Sequence, residues 1–236
     1  MNWNGLEIPD NPYYQDEWVV IYHADCRDIL PLIPDKSIDL VLTDPPWGSG
    51  LSMAFNDRFT HAAGNWWRNI DRSYCTRHAP IIGDDVPFDP IFLLQFPKVI
   101  TWGAQWYASR LPNSGGWLIW DKRHGIEDAK WPMSEAELAW TNLRKAVRIF
   151  RHRWFGLVRE SERGEHWHPT QKPVALMIWC IQQAEPVGLI LDPYMGAGPT
   201  LLAAKKLNRH CIGIEIEERY CEIAAKRCSQ SVMMLG

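Results

Sequence analysis

The chain has 236 residues, 46% of them hydrophobic and 22% charged, which is the make-up of a single globular α/β domain with a sizeable core and excludes a disordered or fibrous chain. A formal net charge of -3 excludes coating of nucleic acid by charge alone, though a basic face on an acidic body stays open. No apolar run is long enough to span a bilayer, residues 1–10 hold no leader-like apolar core, and the six cysteines form no C-x-x-C pair, so a reduced, cytosolic protein with no membrane role is expected.

Residues 17–24 are β-branched and aromatic enough for a strand, and Asp25-Cys26-Arg27-Asp28 then opens a short helix, which leaves Asp25 at the strand's carboxyl end. Residues 38–43 read as a nearly all-apolar strand of the buried parallel kind, stopped by Asp44-Pro45-Pro46 because neither proline can donate to a ladder. Further strands are predicted at 98–102, 116–121, 148–158, 188–192 and 211–215, and helical spacing at 174–184, 199–207 and 217–228. This alternation predicts a mostly parallel sheet with helices on both faces, whose ligands gather at the carboxyl ends of the strands, where Asp25, Asp44, Asp192 and Glu215 fall. Residues 48–85 and 121–165 are expected to contain excursions over the site that touch nucleic acid. The first of them interleaves aromatics such as Phe55, Phe59, Trp66 and Trp67 with Arg58, Arg68, Arg72 and Arg77, a mixture suited to base stacking and phosphate contact. The 14 tryptophans also predict that some indoles face a ligand.

Three motifs reinforce one another. Asp192-Pro193-Tyr194-Met195-Gly196-Ala197-Gly198-Pro199-Thr200 joins an apolar strand to a helix, and its glycines let a small ligand approach the backbone closely. Leu201 stands where a third glycine would complete G-x-G-x-x-G, and no Gly-Lys-Ser/Thr follows, which weakens dinucleotide and nucleoside-triphosphate readings. Asp44-Pro45-Pro46-Trp47 sets a carboxylate, a carbonyl outside any ladder and an aromatic ring on one rigid turn. Exocyclic amines of bases are poor nucleophiles because their lone pair is delocalised into the ring. Asp44 and the Pro45 carbonyl can accept the two N–H bonds of such an amine while Trp47 stacks on the base, a catalysis of positioning and fixed dipoles. The third motif, His168-Pro169-Thr170-Gln171-Lys172-Pro173, leads into a helix shortly before the glycine loop.

With these residues the chain resembles the β group of DNA amino-methyltransferases, in which the D/S-P-P-Y/F/W loop precedes the methyl-donor loop, and the resemblance spans nearly the whole chain. It implies a seven-stranded sheet with one antiparallel strand, circularly permuted so that residues 17–24 lie beside the strand ending at Glu215. It implies S-adenosylmethionine as cofactor, with Asp192, Gly196, Gly198 and Thr200 around its methionine part, Glu215 on its ribose, Asp25 and Cys26 by its adenine, and Thr170, Gln171 and Lys172 closing over its amino-acid end. Asp44 in place of serine favours adenine N6 as the target over cytosine N4. Two features depart from the group: Pro199 follows Gly198 where a serine or threonine is usual, and the segment before His168 that reads bases is short. A homodimer would compensate for that short segment.

The partner implied is double-stranded DNA with its target base flipped out of the stack, since a base inside a duplex cannot reach a pocket at a strand end. A cationic stripe of Arg144, Lys145, Arg148, Arg151 and Arg153, continued by Arg159 and Arg163, is the predicted phosphate-contacting surface. The histidines and cysteines lack zinc spacing, so no metal is expected. The alternatives are a cytosine N4 or RNA adenine methyltransferase, a catalytically silent nucleic-acid-binding subunit of the same fold, and, with least support, a dinucleotide-dependent oxidoreductase.

Overall fold

The structure is a computed structural model and describes residues 1–3, 5–34, 36–48, 81–125, 134–143, 146–155, 158–162, 167–168 and 170–230. The strands of its main sheet are β1 Tyr14–Gln15, β2 Val19–His23, β3 Leu40–Thr43, β4 Val99–Trp102, β5 Gly116–Asp121, β6 Ala136–Thr141, β7 Arg148–Arg151, β8 Leu189–Asp192 and β9 His210–Glu215. The helices are α1 Cys26–Ile29, α2 Val174–Ala184, α3 Pro199–Lys206 and α4 Glu218–Gln230. The sheet order is β1-β2-β9-β8-β3-β4-β6-β5-β7, with β2, β9, β8, β3 and β4 mutually parallel, β6 antiparallel to both its neighbours, and β1 antiparallel to β2. The strand at 19–23 does lie beside the one ending at Glu215, where Val19 pairs with Cys211.

The central strands are buried on both sides, as their unbroken apolar runs require. Alternate residues divide between two cores. Val19, Ile21, Leu40, Leu42 and Ile190 pack under α2, α3 and α4, whereas Val20, Tyr22, Val41, Leu191 and Ile212 face the N-terminal segment and residues 88–107. Among the described residues three helices therefore cover one face. The other, among the same described residues, carries α1 and single 3-10 turns such as Ile91–Gln95 and Ala104–Trp106.

The sheet has nine strands rather than seven. Edge strand β1 is only two residues long, too short for any periodicity, and is held by the turn in which Asp16 accepts the Trp18 and Val19 N–H groups. The expected strand 148–158 is broken: β7 ends at Arg151, the carbonyl of His152 accepts Trp120 Nε1, and Trp154–Phe155 pairs back on Val158–Arg159 in a hairpin of its own. Residues 136–141, expected within an excursion, form β6, an interior strand of the sheet between β4 and β5. The glycine loop enters α3 through Gly198, at φ +74°, followed by Pro199 as the first helical residue, where a missing N–H costs no hydrogen bond. Asn208, at φ +53°, takes the left-handed position just past the helix end.

Candidate active site

Four parallel strands bring four carboxylates to one edge of the sheet in the order Asp25, Glu215, Asp192 and Asp44, following β2, β9, β8 and β3. At ~4.8 Å per strand the row is about 14 Å long. Asp25 caps α1 by accepting the Arg27 N–H at 2.9 Å and also holds the Arg27 guanidinium, which keeps its carboxyl below the usual range. Glu215 accepts the N–H groups of Gly196 at 3.0 Å and Glu217 at 2.8 Å; burial raises its pKa and these donors oppose the rise. Asp192 is buried and accepts Thr43 Oγ1 at 2.8 Å and the Tyr194 N–H at 3.2 Å.

Burial pushes the Asp192 carboxyl up to about 7, against the pull of the Thr200, Thr43 and Tyr194 donors. Between about pH 4 and pH 7 the folded chain thus keeps a proton that the unfolded chain has released, and stability falls as pH rises through that window. An Asp192→Asn variant, which cannot ionise, is expected to gain in melting temperature relative to the wild type on going from pH 4.5 to pH 8. A difference that is constant with pH would show that Asp192 does not hold that proton.

The glycine loop is wedged between two other elements. A Cβ on Gly196, at φ +50°, would come 3.4 Å from the His168 ring, and one on Gly198 would meet Ala224 Cβ of α4 at 2.9 Å. The ring of His168 sits edge-on to Tyr220, with centroids 4.4 Å apart, and its Nδ1 is 3.2 Å from Thr170 Oγ1. Arg227 of α4 donates to the Ala197 carbonyl and to Glu162, and the second Glu162 oxygen accepts the Val174 N–H at the start of α2. Glu162 and Arg227 thereby tie loop, α2 and α4 together, a pairing the sequence reading missed because the residues are 65 positions apart. A solvent-open pocket of about 350 Å³ lies between the loop and the Thr170–Lys172 segment, with Asp44, Asp192 and Thr200 also in its lining.

At the end of β3, Asp44 Oδ1 accepts Trp47 Nε1 at 3.0 Å. The indole lies against the backbone of Gly103 and stacks on Trp106 with centroids 6.3 Å apart. Asp44 Oδ2 holds the buried ammonium of Lys172, which also lies 3.1 Å from Glu137 Oε2 and 5.2 Å from the Trp47 ring. Glu137 in turn accepts Lys122 Nζ on Oε1 at 2.8 Å. Burial drives Asp44 above the usual carboxylate range while Lys172 opposes it. Burial also disfavours the Lys172 ammonium, but Asp44 and Glu137 override it and hold Lys172 above the ordinary lysine value. Glu137 is carried below its usual value, to about 2, since its two lysines outweigh the cost of burial.

The sequence-predicted residues Asp44, Lys172, Asp192, Gly196 and Thr200 thus meet in one pocket, with Glu215 on the Gly196 N–H and Asp25 and Cys26 at the next strand end. Lys172 turns toward Asp44, and the buried Gln171 bridges the Trp167 N–H and Glu162. Glu137 and Lys122 were not foreseen; the one signal was a glutamate inside the short apolar run Ala136–Thr141. Of the predicted cationic stripe, Arg148, Arg151 and Arg153 are exposed at or beside edge strand β7, while Arg159 is buried with its guanidinium 4.2 Å over the Trp154 ring. Arg144, Lys145 and Arg163, and residues 49–80 of the first excursion, lie outside the described residues. Among the described residues, no group of three or more histidines, cysteines, aspartates or glutamates could hold a metal ion, and no helix is long and apolar enough to cross a membrane.

The fold resembles that of PvuII DNA methyltransferase (cytosine-N4-specific), with a TM-score of 0.58 at 14% identity over 93% of this chain and 89% of that one. It also resembles TTHA0409 of Thermus thermophilus complexed with S-adenosyl-L-methionine, with a TM-score of 0.51 at 18% identity over 89% and 93%. In sequence the chain is 28% identical to the type II methyltransferase M.ScaI of Streptomyces caespitosus over 95% of this chain and 86% of the relative. It is 25% identical to the type II methyltransferase M2.LlaDCHI of Lactococcus lactis subsp. cremoris over 96% and 95%. Residues 90–226, more than half of the chain, match the family profile described as DNA methylase, so the chain, with its carboxylate row and glycine loop, belongs to the N6/N4 DNA methylase family.

Proposed function

We propose that the protein transfers a methyl group from S-adenosylmethionine to the exocyclic N6 amine of adenine in double-stranded DNA. The observation that carries this reading is the pocket in which Asp44, at the end of β3, and the glycine loop of β8 face one another. The donor fits there. Asp192 brings an acidic group into the pocket, and Gly196, at φ +50°, holds a backbone conformation that a residue with a side chain rarely adopts. Asp192, Gly196, Gly198 and Thr200 would hold its methionine part, Glu215 its ribose, and Asp25 and Cys26, next to Tyr194, its adenine. Thr170 and Gln171 would close over the amino-acid end. When bound, the donor supplies an electrophilic methyl on a sulfonium.

The chain's own residues do the rest. Asp44 and the Pro45 carbonyl accept the two N–H bonds of the target amine and draw its lone pair out of the ring, with Trp47 as the stacking platform. Asp44, rather than the serine found in other members of the group it resembles, favours adenine. The test is incubation with unmethylated duplex DNA and isotopically labelled S-adenosylmethionine, followed by hydrolysis to nucleosides and mass analysis. N6-methyladenine is expected; N4-methylcytosine would refute the choice of base, and no label in DNA would refute the transfer.

The duplex is placed along the carboxyl edge of the sheet. β7 runs parallel to β5, so Arg151 and Arg153 emerge on the site's edge, about 19 Å from Asp44 at four strand spacings, close to the width of a duplex. Replacing both arginines by alanine is expected to weaken DNA binding and to flatten the slope of log K against log salt by about 2, with donor affinity unchanged. An unchanged slope would move the DNA path elsewhere.

A further inference from the structure

Lys172 stands between two carboxylates that hold it unequally. Its ammonium donates to Asp44 Oδ2, whereas Glu137 Oε2, 3.1 Å away, is held by charge as an ion pair and is not matched by a geometric hydrogen bond from any described residue. The remaining oxygens are committed, Asp44 Oδ1 to Trp47 and Glu137 Oε1 to Lys122. A buried carboxylate oxygen without a hydrogen bond is rare enough to call for an explanation.

The proposed role of Asp44 supplies one. An ammonium on Oδ2 withdraws the electron density that a base amine would need from that oxygen, so the resting arrangement competes with the substrate. Resting on that reading of Asp44, we propose that Glu137 is a positioning residue that receives the Lys172 ammonium when the target base enters, freeing Asp44 Oδ2 to accept the exocyclic N–H. One N–H···O contact is exchanged for another, no proton changes owner, and two lysines against two carboxylates leave the cluster neutral throughout. Trp47 and Lys122 fix the outer oxygens, so the flexible lysine moves and the carboxylates stay.

The experiment compares Glu137→Gln, Lys172→Met and the double variant in the labelled-methyl assay, with donor affinity measured by calorimetry. Glu137→Gln is expected to lower kcat by about 10- to 100-fold, with KM for DNA and the donor Kd within about two-fold of wild type, because the loss falls on the transition state. In the Lys172→Met background the same change is expected to cost less than about two-fold, since no ammonium is left to receive. A wild-type kcat in Glu137→Gln, or single effects that multiply in the double variant, would overturn the role. If Glu137→Gln loses donor binding, Glu137→Asp, which keeps the charge but retracts the acceptor, decides by the same kcat criterion. A wild-type chain that methylates no DNA would fail at the proposed function itself, a result distinct from an active wild type with an equally active Glu137→Gln.

Discussion

Replacing Asp44 by alanine is expected to lower methyl transfer to DNA by about 10³-fold, the upper range for loss of a single preorganised polar group at a reacting centre. In the proposed mechanism Asp44 is the carboxylate that accepts an amine N–H, on a turn whose backbone Pro45 and Pro46 restrict. The fold is expected to survive. Stranding a buried charge commonly costs about 3–5 kcal/mol, and here the cost is reduced because Lys172 can share Glu137 with Lys122 while Trp47 keeps Trp106 as stacking partner. Donor affinity should therefore stay near the wild-type value, and calorimetry beside the transfer assay checks both halves. Residual transfer above about a tenth of wild type would remove Asp44 from the chemistry.

The second large effect is expected at a residue that touches neither donor nor base. Gly103 follows β4 at φ +73°, and a Cβ there would lie 1.9 Å from Trp47 Nε1 and 2.3 Å from Cδ1. Gly103→Ala forces the indole off its seat and breaks its hydrogen bond to Asp44, besides a backbone cost of about 1–3 kcal/mol for a non-glycine residue in the left-handed region. A displacement of about 1 Å at a positioned group can cost 10²-fold, so a loss of at least that size is expected in kcat, with donor binding intact. In a Trp47→Ala background, where no ring is left to displace, the further loss from Gly103→Ala should shrink to less than about ten-fold. An equal loss in both backgrounds would show that Gly103 acts through the backbone and not through the indole.

Much of the site could be read from the sequence because its signals are local. Asp44 and Asp192 each end an unbroken apolar run at a proline, and Glu215 ends another, so strand ends and acids could be located together. What escaped was long-range. Nothing in 136–141 announces that the strand inserts between β4 and β5, and without that placement Glu137 reads as an exposed acid in a loop. The pairing of Glu162 with Arg227 is hidden for the same reason. Arg159 shows the converse error, since a cation in a basic stretch need not face solvent when an indole such as Trp154 can take its guanidinium.

The reversal of β6 has a consequence for how this protein can diversify. Because β5 runs toward the site edge and β6 away from it, the chain between Asp121 and Ala136 leaves and re-enters the sheet on the side that carries Asp44 and the glycine loop. The Lys122–Glu137 ion pair closes that segment at its base like a clasp. Residues inserted, deleted or grafted between Lys122 and Glu137 would leave the register of every strand as it is, so the chain can vary there without renegotiating the core.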